Sequence, residues 1–581
     1  MFASVLATLV AATAALSDIS LNGSWEFRFE EGKSLETAWD AGFSATDVMS
    51  VPGCYDAMPK WLMKRGTGLY RRAFTLDRDV GAAELAVDGM GLVGRFALDG
   101  RDLGTVALPW SRFTLPAGAL KAGRHEIVAA LDNRFDWKML KLARPYYDFY
   151  CYGGFYHGVS LVLDNRRLKV RTRDYATGLV ELEAVGFAAN DFDATAVFDG
   201  TNAVKVAFKG RRAEVKVPGF RLWSPETPNL HTVELTDSTR SGQETASPFV
   251  TRFGIRTIEA RAKRLWLNGK PLSLKGVNRH ESHPTFGAAT PEQVMLADIQ
   301  NLKSLGGNFI RGAHYPQAQR FLDLCDENGV LVWEEALGWG NGQDYTDRGH
   351  REFADPQFLA DNLRQVRLMV ENDFNHPSVI IFAFMNEFKS SDPKGKEIAD
   401  ALIGEIRAAD SGRLVTFACN CVADDIANAG TDLIAFNTYP GWIGTEAGDT
   451  ENLRRLFCAD VAKIVKGFRK RYGEEKPIMV SEMGTCAVYG QHDPAAAQWT
   501  EEFEAEYLAA AMAAVWAEPE LAGFTIWQMN DAKSYHRDGG SIRAKPFAEN
   551  LAGLYDGYRR AKLPVTNIVR RFFALPAAWE K

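Results

Sequence analysis

Two carboxylates stand out because each ends a run of apolar residues. Residues 378–387 read SVIIFAFMNE and residues 477–482 read PIMVSE, so Glu387 and Glu482 each close a stretch suited to a strand buried on both faces. A charge is costly inside such a core, which puts both groups just past strand ends, in a cleft. Two carboxyl groups facing one another across a cleft fit glycoside hydrolysis. One protonates the leaving oxygen while the other attacks the sugar carbon and holds it as an ester. That work needs split pKa values, and aromatic walls around Glu387, with Phe384 and Trp527 as candidates, would raise its carboxyl by desolvation. Breaking an acetal needs no cofactor, and none is signalled.

Other reactive side chains gather at the same kind of position. They are His280, Arg311, His314, Glu334, Glu335, Asn386, Asn437, Tyr439, Trp527 and Asp531. Arg311 suits a partner for inward carboxylates such as Glu335 or Glu482. The stretch His280-Glu281-Ser282-His283 is one residue short of the HExxH spacing that puts two histidines on one helix face, so no metal is expected. The GxSxG elbow of serine hydrolases is absent. Residues 89–94 match GxGxxG, but 95–100 alternate like a strand where a dinucleotide site needs a helix, so a turn is the better reading.

The elements that would hold these groups follow from periodicity. Eight short apolar strands recur at 271–277, 308–312, 330–336, 378–387, 414–420, 433–439, 477–483 and 523–529, with helical patterns between most of them. Met295, Ile299 and Leu302 share one helical face, as do Leu508, Met512 and Val515. Strands alternating with helices in this number predict a (β/α)8 barrel over 261–581, with Glu387 and Glu482 on its carboxyl-terminal face. Residues 17–164 read as a β-sandwich, and 165–260 as a second sandwich of immunoglobulin-like size that carries no chemistry of its own. The aromatic stretch 145–157 suits either a core or a loop reaching a neighbouring cleft.

Composition narrows the function. The chain has 581 residues, 46% hydrophobic, with 14 Trp, 35 Phe and a net charge of -7, which fits a globular multidomain protein and argues against a nucleic-acid surface. Residues 1–16 resemble a signal peptide without its basic start, so a periplasmic or secreted location is expected, and a cytoplasmic one otherwise. No later stretch is long and apolar enough to span a bilayer. The cysteines, seven in all and without a CxxC pair, suggest neither a zinc ribbon nor a redox motif, and a disulfide stays open.

The runs FAFMNE (382–387), VSEMG (480–484), GVNRHE (276–281) and RGAHYP (311–316) resemble glycoside hydrolase family 2. Residues 223–229 and 253–256 resemble that family's immunoglobulin-like domain, and 148–154 the loop its jelly-roll N-terminal domain sends into the active site. The resemblance implies a retaining exo-β-glycosidase acting on a carbohydrate. It implies Glu387 as acid/base, Glu482 as nucleophile, Asn386 as the partner of the sugar 2-hydroxyl and Tyr439 beside the nucleophile. Asp148, His314, Trp527 and Asn550 match sugar-subsite residues. The length resembles the β-glucuronidase branch, yet that branch grips the sugar carboxylate with Asn-any-Lys, where this chain reads Asn550-Leu551-Ala552. A neutral sugar, a β-galactoside, is therefore expected; the alternative is a glucuronide or galacturonide held by Arg543, Lys545 or Lys533. An inactive carbohydrate-binding barrel and an endo-acting mannanase-like barrel are rival readings. The 338–355 insertion favours a closed pocket and exo action, and a homo-oligomer stays open.

Overall fold

The computed structural model describes residues 18–136, 138–142, 149–237, 249–343, 351–410, 412–442, 450–535, 545–576 and 579. The segment expected to direct export, Asp148, Arg543 and the middle of the 338–355 insertion lie outside them.

The barrel is closed by parallel strands Leu274–Arg279, Phe309–Gly312, Leu331–Trp339, Val379–Asn386, Leu414–Thr416 with Ala418–Cys419, Ile434–Asn437, Ile478–Glu482 and Leu521–Ile526. The fifth strand is broken at Phe417. Its first piece pairs with Val379–Asn386 and its second with Ile434–Asn437, which is how the ring closes. The period of two along each strand divides the core. Ile381 and Ala383 face the barrel interior with Leu274, Phe309 and Met479, whereas Phe382 and Phe384 face the helical layer. Met295, Ile299 and Leu302 are buried on the helix Glu292–Leu305, and Leu508, Met512 and Val515 on Glu501–Ala517.

The first strand starts later than its sequence predicts. Lys270–Leu272 instead joins Ile258–Arg261 and Arg264–Leu267 in an antiparallel hairpin, and Leu265 and Leu267 plug the amino-terminal end of the barrel. Closing that end leaves chemistry to the other.

Upstream, a six-stranded antiparallel sheet packs on a four-stranded one. The alternation in strands such as Gly123–Asp132 buries one face against the other sheet around Trp25, Phe27, Tyr70 and Phe155. The GxGxxG stretch runs into the strand Val93–Leu98, and Gly91 packs so tightly that a Cβ would lie 2.2 Å from the Tyr152 carbonyl oxygen. Its glycines serve close packing, not phosphate. The second sandwich pairs a three-stranded sheet with a four-stranded one around Phe198, Phe208, Val233 and Phe253. It is tied to the barrel through the Trp223 indole, which donates to the Asp326 carbonyl at 2.9 Å. All seven cysteines are free thiols.

The described part of the aromatic stretch, residues 149–157, serves both purposes weighed for it. Tyr156 is buried in the sandwich core, while Phe149 reaches the barrel mouth, its ring 5.1 Å from that of His280 and 5.8 Å from that of His314. Arg65 holds this contact from the sandwich side, donating to the Cys151 carbonyl at 2.7 Å and to the Tyr535 hydroxyl at 2.8 Å.

Candidate active site

Glu387 and Glu482 open into one cavity of about 230 Å³ at the carboxyl ends of the barrel strands, walled by His314, Trp339, Tyr439, Trp442 and Trp527. Glu482 ends its strand with a donor on each carboxylate oxygen. Arg311 Nη1 donates to Oε1 at 2.6 Å and the Tyr439 hydroxyl to Oε2 at 2.6 Å. Both are charge-assisted bonds, the strong kind. Burial pushes the Tyr439 phenol well above its ordinary pKa, with the Glu482 charge adding to the effect, so the tyrosine remains a donor at neutral pH.

Arg311 is fully buried and organises the floor of the site. Besides Glu482, it donates from Nε and Nη2 to the two oxygens of Glu335, each at 3.0 Å, from Nη2 to Asn386 Oδ1 at 2.9 Å and from Nη1 to Asn278 Oδ1 at 3.1 Å. Burial raises the Glu335 carboxyl above its usual range even with Arg311 beside it. Glu334, the next residue, points away and accepts from the Gln317 backbone N–H at 2.5 Å.

Glu387 is placed by its backbone as much as by its side chain. Met385 and Glu387 have φ of +44° and +52°, a left-handed conformation that costs about 1–3 kcal/mol per residue outside glycine. The first of these breaks the strand's alternation: Phe384 and Met385 both pack toward the helices, and Asn386 then turns in to meet Arg311. Phe384 is thus not a wall of the cavity, contrary to its expected role. Its ring sits 5.8 Å from Phe417, and the desolvating wall is built by tryptophans instead. Asn437 donates to Glu387 Oε1 at 2.7 Å and is itself oriented by the Ser481 hydroxyl at 2.7 Å. Gln343 donates to the Glu387 carbonyl at 2.9 Å.

His314 stacks on Trp527 with centroids 5.2 Å apart, and its Nδ1 lies 3.0 Å from Glu335 Oε1. Burial and the Arg311 charge pull its pKa down to about 3, leaving a neutral ring. His280 stands behind this wall, edge-on to Trp527 at 5.2 Å and with Nδ1 3.2 Å from the Tyr315 hydroxyl. Burial, then His314 and Lys545, hold its pKa well below the ordinary value. Lys545 is itself buried, and its charge is among the lesser causes that lower His280 and His314.

Asp531 and Asn550 are not brought into the cavity wall. Asp531 accepts from the Gly553 N–H at 2.8 Å and from Lys562 Nζ at 3.2 Å, and burial lifts it to about 7. Asn550 Oδ1 accepts from the Ala552 N–H at 3.3 Å. Lys533 lines a neighbouring cavity with Glu549 and Tyr558. Trp339, Trp442 and Gln343, which the sequence did not single out, do meet the site; the indoles read as ordinary core aromatics until the loops are folded. Away from the mouth, Asp323, Asp326 and His376 bring possible metal-ligand atoms within 4.8 Å of one another. Arg252 pairs with Asp323 there and lies 3.9 Å from Asp326, which commits the carboxylates to an ion-pair network.

The family model described as "Glycosyl hydrolases family 2, TIM barrel domain" matches residues 258–538, and that described as "Glycosyl hydrolases family 2" matches 166–256. A Beta-glucuronidase of Bacteroides fragilis is 27% identical over 566 residues, covering 90% of this chain and 77% of that protein. The Beta-glucuronidase of Chlorocebus aethiops is 29% identical over 386 residues, 63% of this chain, and the match spans only 56% of that protein's length. Among solved structures, a GH2 beta-galacturonidase from Eisenbergiella tayi is 26% identical, with a TM-score of 0.83 and 97% of each chain covered.

Proposed function

Since this chain belongs to glycosyl hydrolase family 2, we propose that it is a retaining exo-β-glycosidase whose substrate sugar is a uronic acid. The observation that carries the chemistry is the shared cavity into which Glu387 and Glu482 open. Glu482 attacks the anomeric carbon. Its charge is steadied by Arg311 and Tyr439, which also hold the carboxylate in position. Glu387 gives its proton to the departing oxygen, and Asn437 fixes its carboxyl for that transfer. Once Glu482 is an ester, its negative charge is gone, and Glu387 serves as base for the water that releases the sugar. In this reading Asn386, held by Arg311, binds the 2-hydroxyl, and Trp527 stacked on His314 serves as a flat wall for the ring.

The uronide reading replaces the neutral β-galactoside expected from Asn550-Leu551-Ala552. Two considerations support it. The relatives named above are uronidases over most of this chain's length. Lys545 is also buried, and its charge is among the causes that lower His280 and His314, which makes it the candidate to take the missing lysine's place in this reading. A buried sugar carboxylate needs such a partner.

The test is a panel of nitrophenyl β-galacturonide, β-glucuronide, β-galactoside, β-glucoside and β-mannoside, run on the wild type and on Lys545→Ala. A preference for a uronide, lost by about 30-fold or more in the variant, is expected, since leaving a buried charge unpaired costs about 2–5 kcal/mol. A preference for the galactoside, unchanged by the substitution, would return the neutral-sugar reading.

A further inference from the structure

A second cavity, of about 280 Å³, lies where the first sandwich meets the loops that follow the first, seventh and last barrel strands. It neighbours the catalytic one: Leu551 lines it and packs in one cluster with Trp527, which lines the other. Tyr152, Tyr489, Phe547 and Tyr558 supply its rings, and Lys533 and Glu549 sit among them.

Three of these rings are open to solvent, which a folded chain seldom allows in one patch without a use for it. Phe547 is 71% exposed, Tyr558 56% and Tyr489 38%. Phe547 is held out at a cost. It and Ala548 have φ of +62° and +56°, and a left-handed conformation outside glycine costs about 1–3 kcal/mol per residue and gathers at ligand clamps. The Ser534 N–H pins this turn by donating to the Ala548 carbonyl at 2.7 Å. Arg560 steadies the two exposed tyrosines, its guanidinium carbon 4.3 Å from the Tyr489 centroid and 5.7 Å from that of Tyr558, and its Nε donates to Asp556 at 2.7 Å. Rings fixed in advance lose little freedom when a ligand arrives.

The polar groups are arranged differently. Lys533 and Glu549 face one another at 4.0 Å, beyond hydrogen-bond length, so an ammonium donor and a carboxylate acceptor stand side by side. The other carboxylates of the lining are engaged, Asp556 by Arg560 and Asp531 by Lys562 and the Gly553 N–H.

Resting on the glycosidase reading, which makes the substrate a glycan, we infer that this cavity is a second carbohydrate site, taking a neutral pyranose of that glycan. A pyranose turns C–H faces to aromatic rings and carries its polar groups at the rim, as this lining requires. Two adjacent hydroxyls, each both donor and acceptor, bridge Lys533 to Glu549. An apolar ligand would shut those two charges away from water, which is costly. A uronate finds no surplus cation, because Asp531, Glu549 and Asp556 line the cavity against Lys533 and Arg560. The volume holds a single ring, not a long chain.

Ligand-observed NMR titrations with the methyl β-glycosides of galactose, glucose and xylose, against galacturonate, test this on the wild type, Glu482→Gln, Phe547→Ala and Glu549→Gln. At least one neutral glycoside should bind the wild type and Glu482→Gln alike. Phe547→Ala should weaken it by about 3–10-fold and Glu549→Gln by about 10-fold or more. Turnover of a nitrophenyl uronide should be the same in Phe547→Ala, Glu549→Gln and the wild type. The binding readout needs no turnover, so an inactive wild type would sink the glycosidase reading without deciding this one. Crystals of the wild type soaked in the bound glycoside should show its ring against Phe547, a result independent of whether either variant folds. Equal affinity in the wild type and Phe547→Ala, a ring found only in the catalytic cavity, galacturonate held here in preference to every neutral glycoside, or no binding by any of the three overturns the inference. So does self-association of the wild type that Phe547→Ala abolishes, which would make the patch a contact between copies.

Discussion

Replacing Arg311 with methionine is the perturbation that separates stability from catalysis most cleanly. The side chain is fully buried, with Glu335 also at 0% exposure beside it, so its loss strands a carboxylate where water cannot reach. Breaking a buried pair by removing one partner costs about 3–5 kcal/mol. At roughly 2–4 °C per kcal/mol for a cooperative unit of this kind, Arg311→Met should melt about 6–20 °C below wild type. Activity falls for a different reason. Glu482 loses the 2.6 Å donor on Oε1 and Asn386 loses its 2.9 Å anchor, and one hydrogen bond to a charged group is worth about 1.5–3 kcal/mol. A drop in kcat/KM of about 100-fold or more is expected. The double variant Arg311→Met/Glu335→Gln removes the stranded charge while leaving the nucleophile unsupported. Calorimetry should show much of the lost stability restored, and kinetics no recovery. If the single variant melts within 2 °C of wild type, or the double variant regains turnover, the role given to Arg311 is wrong.

Three further outcomes follow from the geometry. Tyr439→Phe deletes the 2.6 Å bond to Glu482 Oε2 and should lower kcat/KM by about 10–100-fold with little change in melting temperature. Asn437→Ala frees Glu387 Oε1 from its 2.7 Å donor, and its penalty should be larger on glycosides with poor leaving groups, which need the proton, than on nitrophenyl ones. His376 concerns pH: burial opposes its charged form, but Asp326, 2.6 Å away, wins and raises its pKa. A raised folded pKa means that the stabilisation is complete below about pH 6.5 and fades as pH climbs through the folded value, by at most about 1.4 kcal/mol per unit. Urea titrations of wild type and His376→Gln should therefore converge from pH 6 toward pH 9; a gap that widens contradicts the assignment.

The barrel was legible because burial on both faces leaves an unbroken apolar run, and all eight runs became strands. The errors lie where tertiary pairing overrides local pattern. Residues 271–273 looked like the start of the first strand, but Lys270–Leu272 completes the hairpin that plugs the barrel floor. Phe384 was misplaced for a related reason. Nothing in the letters reveals a left-handed methionine at 385, which turns Asn386 inward and leaves Phe384 among the helices. Arg311 bridging Glu335 and Glu482 was foreseeable from strand-end chemistry. The bond between Asp531 and Lys562, 31 positions apart, follows no periodicity, so Asp531 read as one more strand-end candidate although it accepts from a buried lysine. Trp339 and Trp442 lie in or beside loops, where an indole carries no sign of whether it will meet solvent, core or sugar.

The most direct measurement uses Glu387→Ala and a nitrophenyl β-uronide, whose leaving group departs without a proton donor. With no base to activate water, the ester should accumulate. Acid quench, proteolysis and mass spectrometry are expected to find one sugar added to the peptide containing Glu482, and azide should restore turnover by releasing a β-glycosyl azide. An unmodified Glu482 peptide under conditions where nitrophenol is released, or an α-configured azide product, would contradict double displacement by these two carboxylates.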